Sequence, residues 1–343
     1  MSVQSVSFPR RRLWSEMVPY DRIAEASLLA DLAARRIDLL VAVTPPSAHG
    51  AARLVDSCRA AGVGIGLWPM LDDRHGRWPS AANASRFASF CRELLSSLRA
   101  AAALPDEIAI DLEPPIDRVR AMLAGSPRAW LHLPSRAGTR ALGELVHELR
   151  QEPMRVSAAV TPLTVLPSKL ASRGWQQVLG TPVDGVAFDT INAMAYTSLF
   201  EGYSRGVLRR ADALAMLRVI ASTCAQRWGS RAVISLGVVG LGALGDERAY
   251  RAPRELAEDV ALAGAAGIQE LVLFALDGIL ARPPREAWLD ALGAIPGQIP
   301  PVTPTGRARA ALTAGSMLGV VAVGIVRVRR ALTRAGDSDD GAR

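Results

Sequence analysis

The fold of this chain is decided by a repeating pattern whose clearest unit is the stretch Asp106–Pro115, DEIAIDLEPP. Asp111 and Glu113 stand two positions apart, so in a strand both side chains point to the same face. Pro114 restricts Glu113 to extended backbone geometry, as the last residue of a strand should have. The stretch therefore predicts a short strand with two carboxylates at its carboxyl end.

Seven other apolar or β-branched runs lie on both sides of this one, and with Glu107–Glu113 they make eight predicted strands. The other seven are Arg12–Val18, Asp38–Thr44, Val63–Met70, Arg155–Thr161, Val186–Tyr196, Ala232–Val238 and Glu270–Asp277. Helical patterns separate the strands and follow the last one. These patterns cover Ile23–Arg35, Ala48–Ala61, Ala84–Ala103, Arg140–Gln151, Ser168–Leu179, Arg209–Gln226, Pro253–Ala266 and Arg285–Leu292.

Eight strands that alternate with eight helices close most simply as a (β/α)8 barrel. Several of the strands are apolar on both faces, as buried parallel strands are. A doubly wound open sheet is the main alternative, but no glycine-rich phosphate fingerprint follows the first strand. We therefore expect an α/β protein with a (β/α)8 TIM barrel over 10–293, followed by a Pro/Gly-rich linker and a C-terminal hydrophobic helix.

The composition of the 343 residues excludes several classes of protein. Half of the residues are hydrophobic and 21% are charged, so the chain can bury a large core and is not disordered. Most of the net charge of +7 comes from the segment that begins at Arg307, and no basic stripe with interleaved aromatic residues occurs, so nucleic-acid binding is not expected. The three cysteines and four histidines show no disulfide or ligand spacing, so neither a metal site nor a cofactor is expected.

The C-terminal part of the chain has the pattern of a membrane anchor. After the linker, which we place at 294–309, the segment 310–326 runs for 17 residues without a charge, AALTAGSMLGVVAVGIV. As a helix it would be about 26 Å long, slightly less than the roughly 30 Å of a bilayer's hydrocarbon core. Flanking arginines can extend its reach. We expect a single-pass transmembrane helix with a basic, then acidic tail at 327–343; an Ala-rich helix packed on the barrel is the alternative.

Orientation and assembly depend on the residues in and around this segment. Four arginines follow it closely and two precede it, which by the positive-inside rule places the C-terminus in the cytoplasm. The N-terminus does not have the pattern of a secretory signal that would export the barrel, so the side on which the barrel lies stays open. Gly315 and Gly319 form a GxxxG pair, which predicts a weak homodimer through two such helices.

Acidic and aromatic side chains gather at the carboxyl ends of the predicted strands, where barrel enzymes carry their active sites. Carboxyl groups handle protons, and flat aromatic rings pack against the C–H faces of sugars. Besides Asp111 and Glu113, the residues that we expect at this end are Trp14, Glu16, Trp68, Trp78, Asn192, Met194, Tyr196 and Asp277. Two close carboxylates repel as anions, so one of them should hold a proton at neutral pH and could act as an acid catalyst.

The fourth strand resembles the DxxDxDxE strand of the family 18 glycoside hydrolases, the chitinase group. Three of the four acidic positions of that motif are occupied, by Asp106, Asp111 and Glu113. Ala109 stands at the remaining acidic position.

The sixth and eighth strands resemble two further motifs of the same family. The segment Asp189–Thr197, DTINAMAYT, is similar to the family's NxMxYD strand, with Thr197 in place of the last acid. Leu273–Gly278, LFALDG, is similar to its WxLDG ending, with Phe274 where the sugar-stacking tryptophan usually stands. The three similar segments occur in the family's order.

The resemblance implies an activity and assigns roles to four residues. Glu113 would be the general acid that protonates the glycosidic oxygen. Asp111 would orient the N-acetyl group of the substrate as that group attacks the anomeric carbon, Tyr196 would hydrogen-bond it, and Phe274 would stack on the sugar. This substrate-assisted route needs no nucleophile from the enzyme. The resemblance thus implies a glycosidase that acts on N-acetylglucosamine-containing glycans.

Two other functions stay open. Because Ala109 removes one acid and Phe274 replaces the usual tryptophan, the barrel would also suit a protein that binds glycan without turnover. The second is a metal-dependent hydrolase that uses the same acids. The weak Mg²⁺-type site of such a hydrolase would use the oxygen ligands Glu16, Asp111, Glu113 and Asp277.

Overall fold

The computed structural model describes residues 10–131, 133–294, 302 and 305–340, and of residues 131 and 329–340 it describes the backbone alone. Eight strands lie in this part of the chain: β1 (Arg10–Ser15), β2 (Ile37–Val43), β3 (Ile65–Pro69), β4 (Glu107–Leu112), β5 (Arg155–Val160), β6 (Thr190–Met194), β7 (Ala232–Gly237) and β8 (Glu270–Phe274). All neighbours pair in parallel, and β8 pairs with β1 to close the barrel. The predicted (β/α)8 barrel is confirmed.

Helices surround the barrel, and each helix that the sequence predicts is present with ends shifted by a few residues. The helices in the described residues are α1 (Tyr20–Ile23), α2 (Ala26–Arg35), α3 (Ala48–Ala60), α4 (Ala84–Ala100), α5 (Ile116–Leu123), α6 (Pro127–Leu131), α7 (Arg136–Leu149), α8 (Lys169–Leu179), α9 (Thr197–Tyr203), α10 (Arg210–Trp228), α11 (Pro253–Ala265), α12 (Leu276–Ala281), α13 (Arg285–Leu292) and α14 (Gly306–Asp340). Five of these, α1, α5, α6, α9 and α12, lie between the carboxyl end of a strand and the next large helix.

Several strands are shorter than the sequence predicts, mostly at their carboxyl ends. Strand β4 ends before Glu113, β6 ends before Tyr196, and β8 ends at Phe274, so that Asp277 lies in the first turn of α12. The first residues of several loops are also buried, so the apolar pattern continues past the ends of the strands. A prediction from periodicity alone therefore makes these strands too long.

A buried ionic cluster fills the amino end of the barrel interior. The side chains of Arg12 and Glu107 are in contact and fully buried. Arg12 also reaches Glu270 at 2.5 Å, and Arg10 donates to Glu107 at 3.1 Å. Burial raises the pKa of Glu107, but the positive charges of Arg12 and Arg10 outweigh that effect and hold the pKa below its usual value. This end of such a barrel serves stability rather than chemistry.

Helix α14 begins earlier than the sequence predicts. The hydroxyl of Thr305 accepts a hydrogen bond from the backbone N–H of Ala308 at 3.0 Å, which caps the helix and brings 306–309 into it. Of the rest of the predicted linker, 294–309, residues 295–301 and 303–304 lie outside the described residues. In the predicted tail, 327–343, the backbone continues the helix to residue 340, and side chains are described only at 327 and 328. The segment 310–326 lies wholly within α14.

One face of α14 packs against α8 of the same chain. The indole N–H of Trp175 donates to the carbonyl oxygen of Gly315 at 2.8 Å. A Cβ at Gly174 would overlap the carbonyl oxygen of Gly319, and a Cβ at Gly319 would lie 2.5 Å from that of Ala171. Backbones approach this closely only at small residues. The glycine pair thus contacts the barrel, and the homodimer through it stays a prediction.

The opposite face of α14 is apolar and exposed. Met317, Leu318 and Val321 are 57–65% exposed. In the described part of the chain, Gly306–Val328 is the one helical segment that is long and apolar enough to cross a membrane. The helix therefore combines a face that is bound to the barrel with an exposed face that carries no charged side chain between 310 and 326.

Candidate active site

A cavity of about 510 Å³ opens at the carboxyl end of the barrel. It brings together most of the side chains that the sequence and the resemblance place there. Those that line it are Trp14, Glu16, Trp68, Trp78, Asp111, Glu113, Met194, Tyr196 and Phe274. The parallel strands all end on this side, so residues that are far apart in the sequence share one wall.

Two of the expected residues do not line the cavity. Asn192 is buried in the barrel interior at 2% exposure. It lies two residues before Met194, on the same face of β6 but deeper in the barrel. The carboxylate of Asp277 accepts hydrogen bonds from the backbone N–H groups of Glu16 at 3.0 Å and Met17 at 2.6 Å. Because Asp277 belongs to a helical turn rather than to β8, its side chain turns back toward the end of β1. It therefore orders the loop that carries Glu16.

Strand alternation places the two principal carboxyl groups. Along β4 the side chains of Glu107, Ala109 and Asp111 alternate with Ile108 and Ile110, which pack outward against the helices. Asp111 is 4% exposed at the base of the cavity. Glu113 follows the strand and lines the same cavity.

These carboxyl groups hold protons more tightly than exposed ones. Burial raises the pKa of Glu113 to about 8, and the negative charge of Glu16 adds to the effect. Burial also raises the pKa of Asp111 well above its usual value, together with the charges of Glu113 and Glu16. The pKa of Glu16 rises to about 7 through burial, although Arg77 opposes the rise. The site therefore carries a protonated acid at neutral pH.

Arg77 is a site residue that the sequence did not indicate. Its guanidinium contacts the carboxylate of Glu16 at 2.5 Å and that of Asp73 at 2.7 Å. The one sequence signal that could have indicated Arg77 is its position in the loop after β3, where charged side chains can turn toward the cavity. Arg77 and Asp277 thus fix Glu16 from two sides, through its side chain and through its backbone.

Aromatic rings form the base of the cavity in a continuous row. The ring centroids of Trp14 and Trp68 are 4.9 Å apart, those of Trp68 and Phe274 are 6.5 Å apart, and those of Phe274 and Tyr196 are 5.8 Å apart. A Cβ at Gly237 would lie 3.0 Å from the ring of Tyr196, so the glycine at the end of β7 makes room for that ring. Burial and the charges of the nearby carboxylates raise the pKa of Tyr196 well above its usual value, which keeps its hydroxyl protonated.

Several buried polar atoms at the base of the cavity have no hydrogen-bond partner in the described residues. They are Oδ1 of Asp111, Nε1 of Trp68, Oγ1 of Thr161 and, just below, both side-chain polar atoms of Asn192. A buried polar atom left unpaired costs roughly 1–3 kcal/mol. Both donors and acceptors are available, so this base suits a ligand that offers both.

Thr197, which stands where the family motif has an acid, does not face the cavity. It is fully buried, and its hydroxyl donates to Asp259 of α11 at 2.5 Å. The hydroxyl of Tyr250 donates to the same carboxylate at 2.5 Å, and Arg210 contacts it at 2.6 Å. The residue after Tyr196 thus anchors the end of β6 to the helical layer.

No protein-family model matches the chain, and no curated protein sequence matches it. Its structure is similar to that of the PgaB (BpsB) glycoside hydrolase domain from Bordetella bronchiseptica, with a TM-score of 0.52 and 12% identity over 83% of this chain and 99% of that chain. It is also similar to the GH5-4 broad specificity endoglucanase from Clostridium longisporum, with a TM-score of 0.50 and 14% identity over 78% of this chain and 84% of that one. A class V chitinase from Nicotiana tobaccum has a TM-score of 0.49 and 12% identity over 85% and 99% of the two chains.

At such low identities the likeness shows the fold alone. The chain has a (β/α)8 barrel similar to those of these glycoside hydrolases, and a divergent resemblance to family 18 fits this likeness. In the described residues, no group of three or more His, Cys, Asp or Glu side chains is arranged to hold a metal ion.

Proposed function

We propose that this protein is a glycoside hydrolase that acts on N-acetylglucosamine-containing glycans by a substrate-assisted route. The observation that carries the proposal is the pair Asp111 and Glu113, which share the base of one cavity with pKa values raised by burial and by neighbouring charge. Two carboxyl groups on an exposed surface would have the usual pKa values and would both be ionised at neutral pH. This buried pair instead holds a proton, which an acid catalyst needs.

Each residue at the base has a part in the proposed reaction. Glu113, protonated at neutral pH, gives its proton to the glycosidic oxygen as the bond to the anomeric carbon breaks. Asp111 accepts the N–H of the N-acetyl group, whose carbonyl oxygen attacks the anomeric carbon, and the hydroxyl of Tyr196 donates to that group. The rings of Trp68 and Phe274 give the sugar apolar faces to stack on. Water then opens the cyclic intermediate, and Glu113 recovers its proton.

A screen with chromogenic N-acetylglucosamine oligomers tests this proposal. Hydrolysis of any of these substrates supports it. Oligomer binding with no turnover would identify the barrel as a glycan-binding protein instead, and the departures Ala109 and Phe274 are what favour that function. Turnover that a chelator abolishes would identify a metal-dependent hydrolase, since the substrate-assisted route requires no metal ion.

The charge of Glu16 should set the pH range in which the enzyme works. Glu113 must be protonated to act, so activity should fall as the pH rises through about 8. Glu16→Gln removes a negative charge that raises this pKa, and we expect the alkaline limb of the profile of kcat/KM to move to lower pH. Glu247→Gln is the matched control, because Glu247 lines the same cavity but does not contribute to the raised pKa of Glu113. An unchanged alkaline limb in Glu16→Gln would contradict this role.

We further propose that α14 anchors the protein in a membrane through its exposed apolar face. The full chain should then sediment with membranes and require detergent for release. The double change Leu318→Glu and Val321→Glu should release it, because a charge at the centre of a bilayer helix costs about 2.5–3.5 kcal/mol. Val207→Glu, at another exposed apolar position, should leave it bound. Full-length protein in the soluble fraction without detergent would refute the anchor.

A further inference from the structure

The polar side chains of the cavity lie at its base and on the side of β6 and β7. The base has Glu16, Asp111, Glu113, Thr161 and Tyr196, and the side of β6 and β7 has Tyr203, Ser204 and Glu247. A soluble oligosaccharide carries hydroxyl groups on every ring, and each one that is buried without a partner costs free energy. The cavity therefore offers polar partners at the carboxylates and toward β6 and β7, but few on the side of β4 and β5.

Apolar side chains form the walls that lead away from the base. On the side of β4 and β5, the walls consist of Val119, Met122, Leu123, Trp130, Leu163 and Leu179. On the side of β6 and β7, the apolar residues Leu199, Phe200, Leu208, Ala243 and Leu244 stand beside the polar residues Tyr203, Ser204 and Glu247. Leu123 remains 46% exposed, so this apolar surface continues to the mouth of the cavity. The wall on the side of β4 and β5 therefore suits a hydrocarbon chain.

The first of these walls rests on the C-terminal helix. Met122, Trp130 and Leu163 belong to one apolar cluster with Trp175 of α8 and Leu312 of α14. The rings of Trp130 and Trp175 are 5.7 Å apart, and the indole of Trp175 also bonds to the backbone of α14. The apolar wall of the cavity is thus continuous with the helix whose outer face is apolar and exposed.

From this continuity we infer that the substrate is a lipid-linked glycoside, whose sugar lies on the carboxylates and whose hydrocarbon chain lies along Met122, Trp130 and Leu163. The inference rests on the proposed glycosidase function and narrows its substrate class. A chain bound in this way leaves the cavity beside the helix that would contact the bilayer. The reaction would then take place at the membrane surface, where such a substrate is held.

Alkyl N-acetylglucosaminides of increasing chain length, each below its micelle concentration, test the inference. The protein is the full-length chain with Leu318→Glu and Val321→Glu, which is expected to be soluble without detergent and has an unchanged cavity. Burial of one methylene corresponds to about a fourfold gain in affinity, so KM should fall by about that factor for each methylene until the wall is covered. The double change Leu123→Gln and Leu163→Gln should flatten this dependence. Leu170→Gln is the matched control, since Leu170 has the same exposure as Leu123 but lies outside the cavity.

The possible results separate this inference from the function on which it rests. Hydrolysis that depends on Glu113 but has a KM independent of chain length would overturn the lipid-linked substrate and leave the glycosidase standing. Tryptophan fluorescence that reports tighter binding of longer chains, without hydrolysis of any glycoside, would support the apolar site and overturn the glycosidase. If Leu123→Gln with Leu163→Gln fails to fold, the chain-length series on the protein with its cavity wall unchanged still decides the question.

Discussion

Glu113→Gln is expected to lower kcat/KM for an N-acetylglucosamine glycoside by about 10²–10⁴-fold, which is the usual contribution of general acid–base catalysis. An amide has nearly the shape of the carboxylic acid that it replaces but cannot deliver a proton to the leaving oxygen. The measurement is the initial rate on chromogenic oligomers at pH 7, where the raised pKa of Glu113 keeps this residue protonated in the unaltered protein.

The control for this change is Glu144→Gln on the exposed face of α7. It should leave both the rate and the oligomer affinity unaltered. Glu113→Gln should keep the affinity and the unfolding midpoint, so that the loss is confined to turnover. Turnover equal to that of the unaltered protein would remove Glu113 from the proposed reaction.

Glu107→Gln should lower the free energy of unfolding by about 3–5 kcal/mol, which is the usual cost of removing one partner of a buried ion pair. Among the proposed substitutions, this one should destabilise the protein most. Among the described residues, the change leaves Glu270 as the one carboxylate paired with the fully buried guanidinium of Arg12, and Arg155 also contacts Glu270 at 3.2 Å. Unfolding in urea measures the loss. The Glu144→Gln control should stay within about 0.5 kcal/mol of the unaltered protein.

The same cluster predicts how stability depends on pH. The pKa of Glu107 is lower in the folded protein than its usual value of 4.5, so the unfolded chain binds the proton more readily. Its contribution is therefore complete above about pH 4.5 and is lost as the pH falls through the lower folded value. In Glu107→Gln this acid-sensitive part of the unfolding free energy should be absent. Equal acid sensitivity in both proteins would contradict the assignment.

The positions of the strands and the carboxylates at their ends could be predicted from the sequence. Alternation along β4 puts Asp111 and Glu113 on one face wherever that strand lies, because a strand has a period of two residues. Once eight such runs close into a barrel, their carboxyl ends must meet, which is why Trp68, Tyr196 and Phe274 line one cavity with the acids.

The directions of individual side chains beyond the strand ends depended on contacts that are distant in the sequence. Asp277 bonds to the backbone of Glu16, and Thr197 bonds to Asp259, so neither contributes to the cavity as the motif pattern implied. Their environment is set by which helix begins after the strand, and the strand pattern does not specify that helix.

The partners of α14 show the same division between sequence and structure. The sequence by itself determined that 310–326 is a charge-free helix with small residues at Gly315 and Gly319. Only the tertiary structure decided that these glycines meet Gly174 of α8, because a small-residue face can pack against any helix that offers a matching groove. Periodicity and composition are properties of one segment, so they can be read from the sequence of that segment. A helix groove, an ion pair and a cavity wall each need two segments that are distant in the sequence, so the tertiary structure decides them.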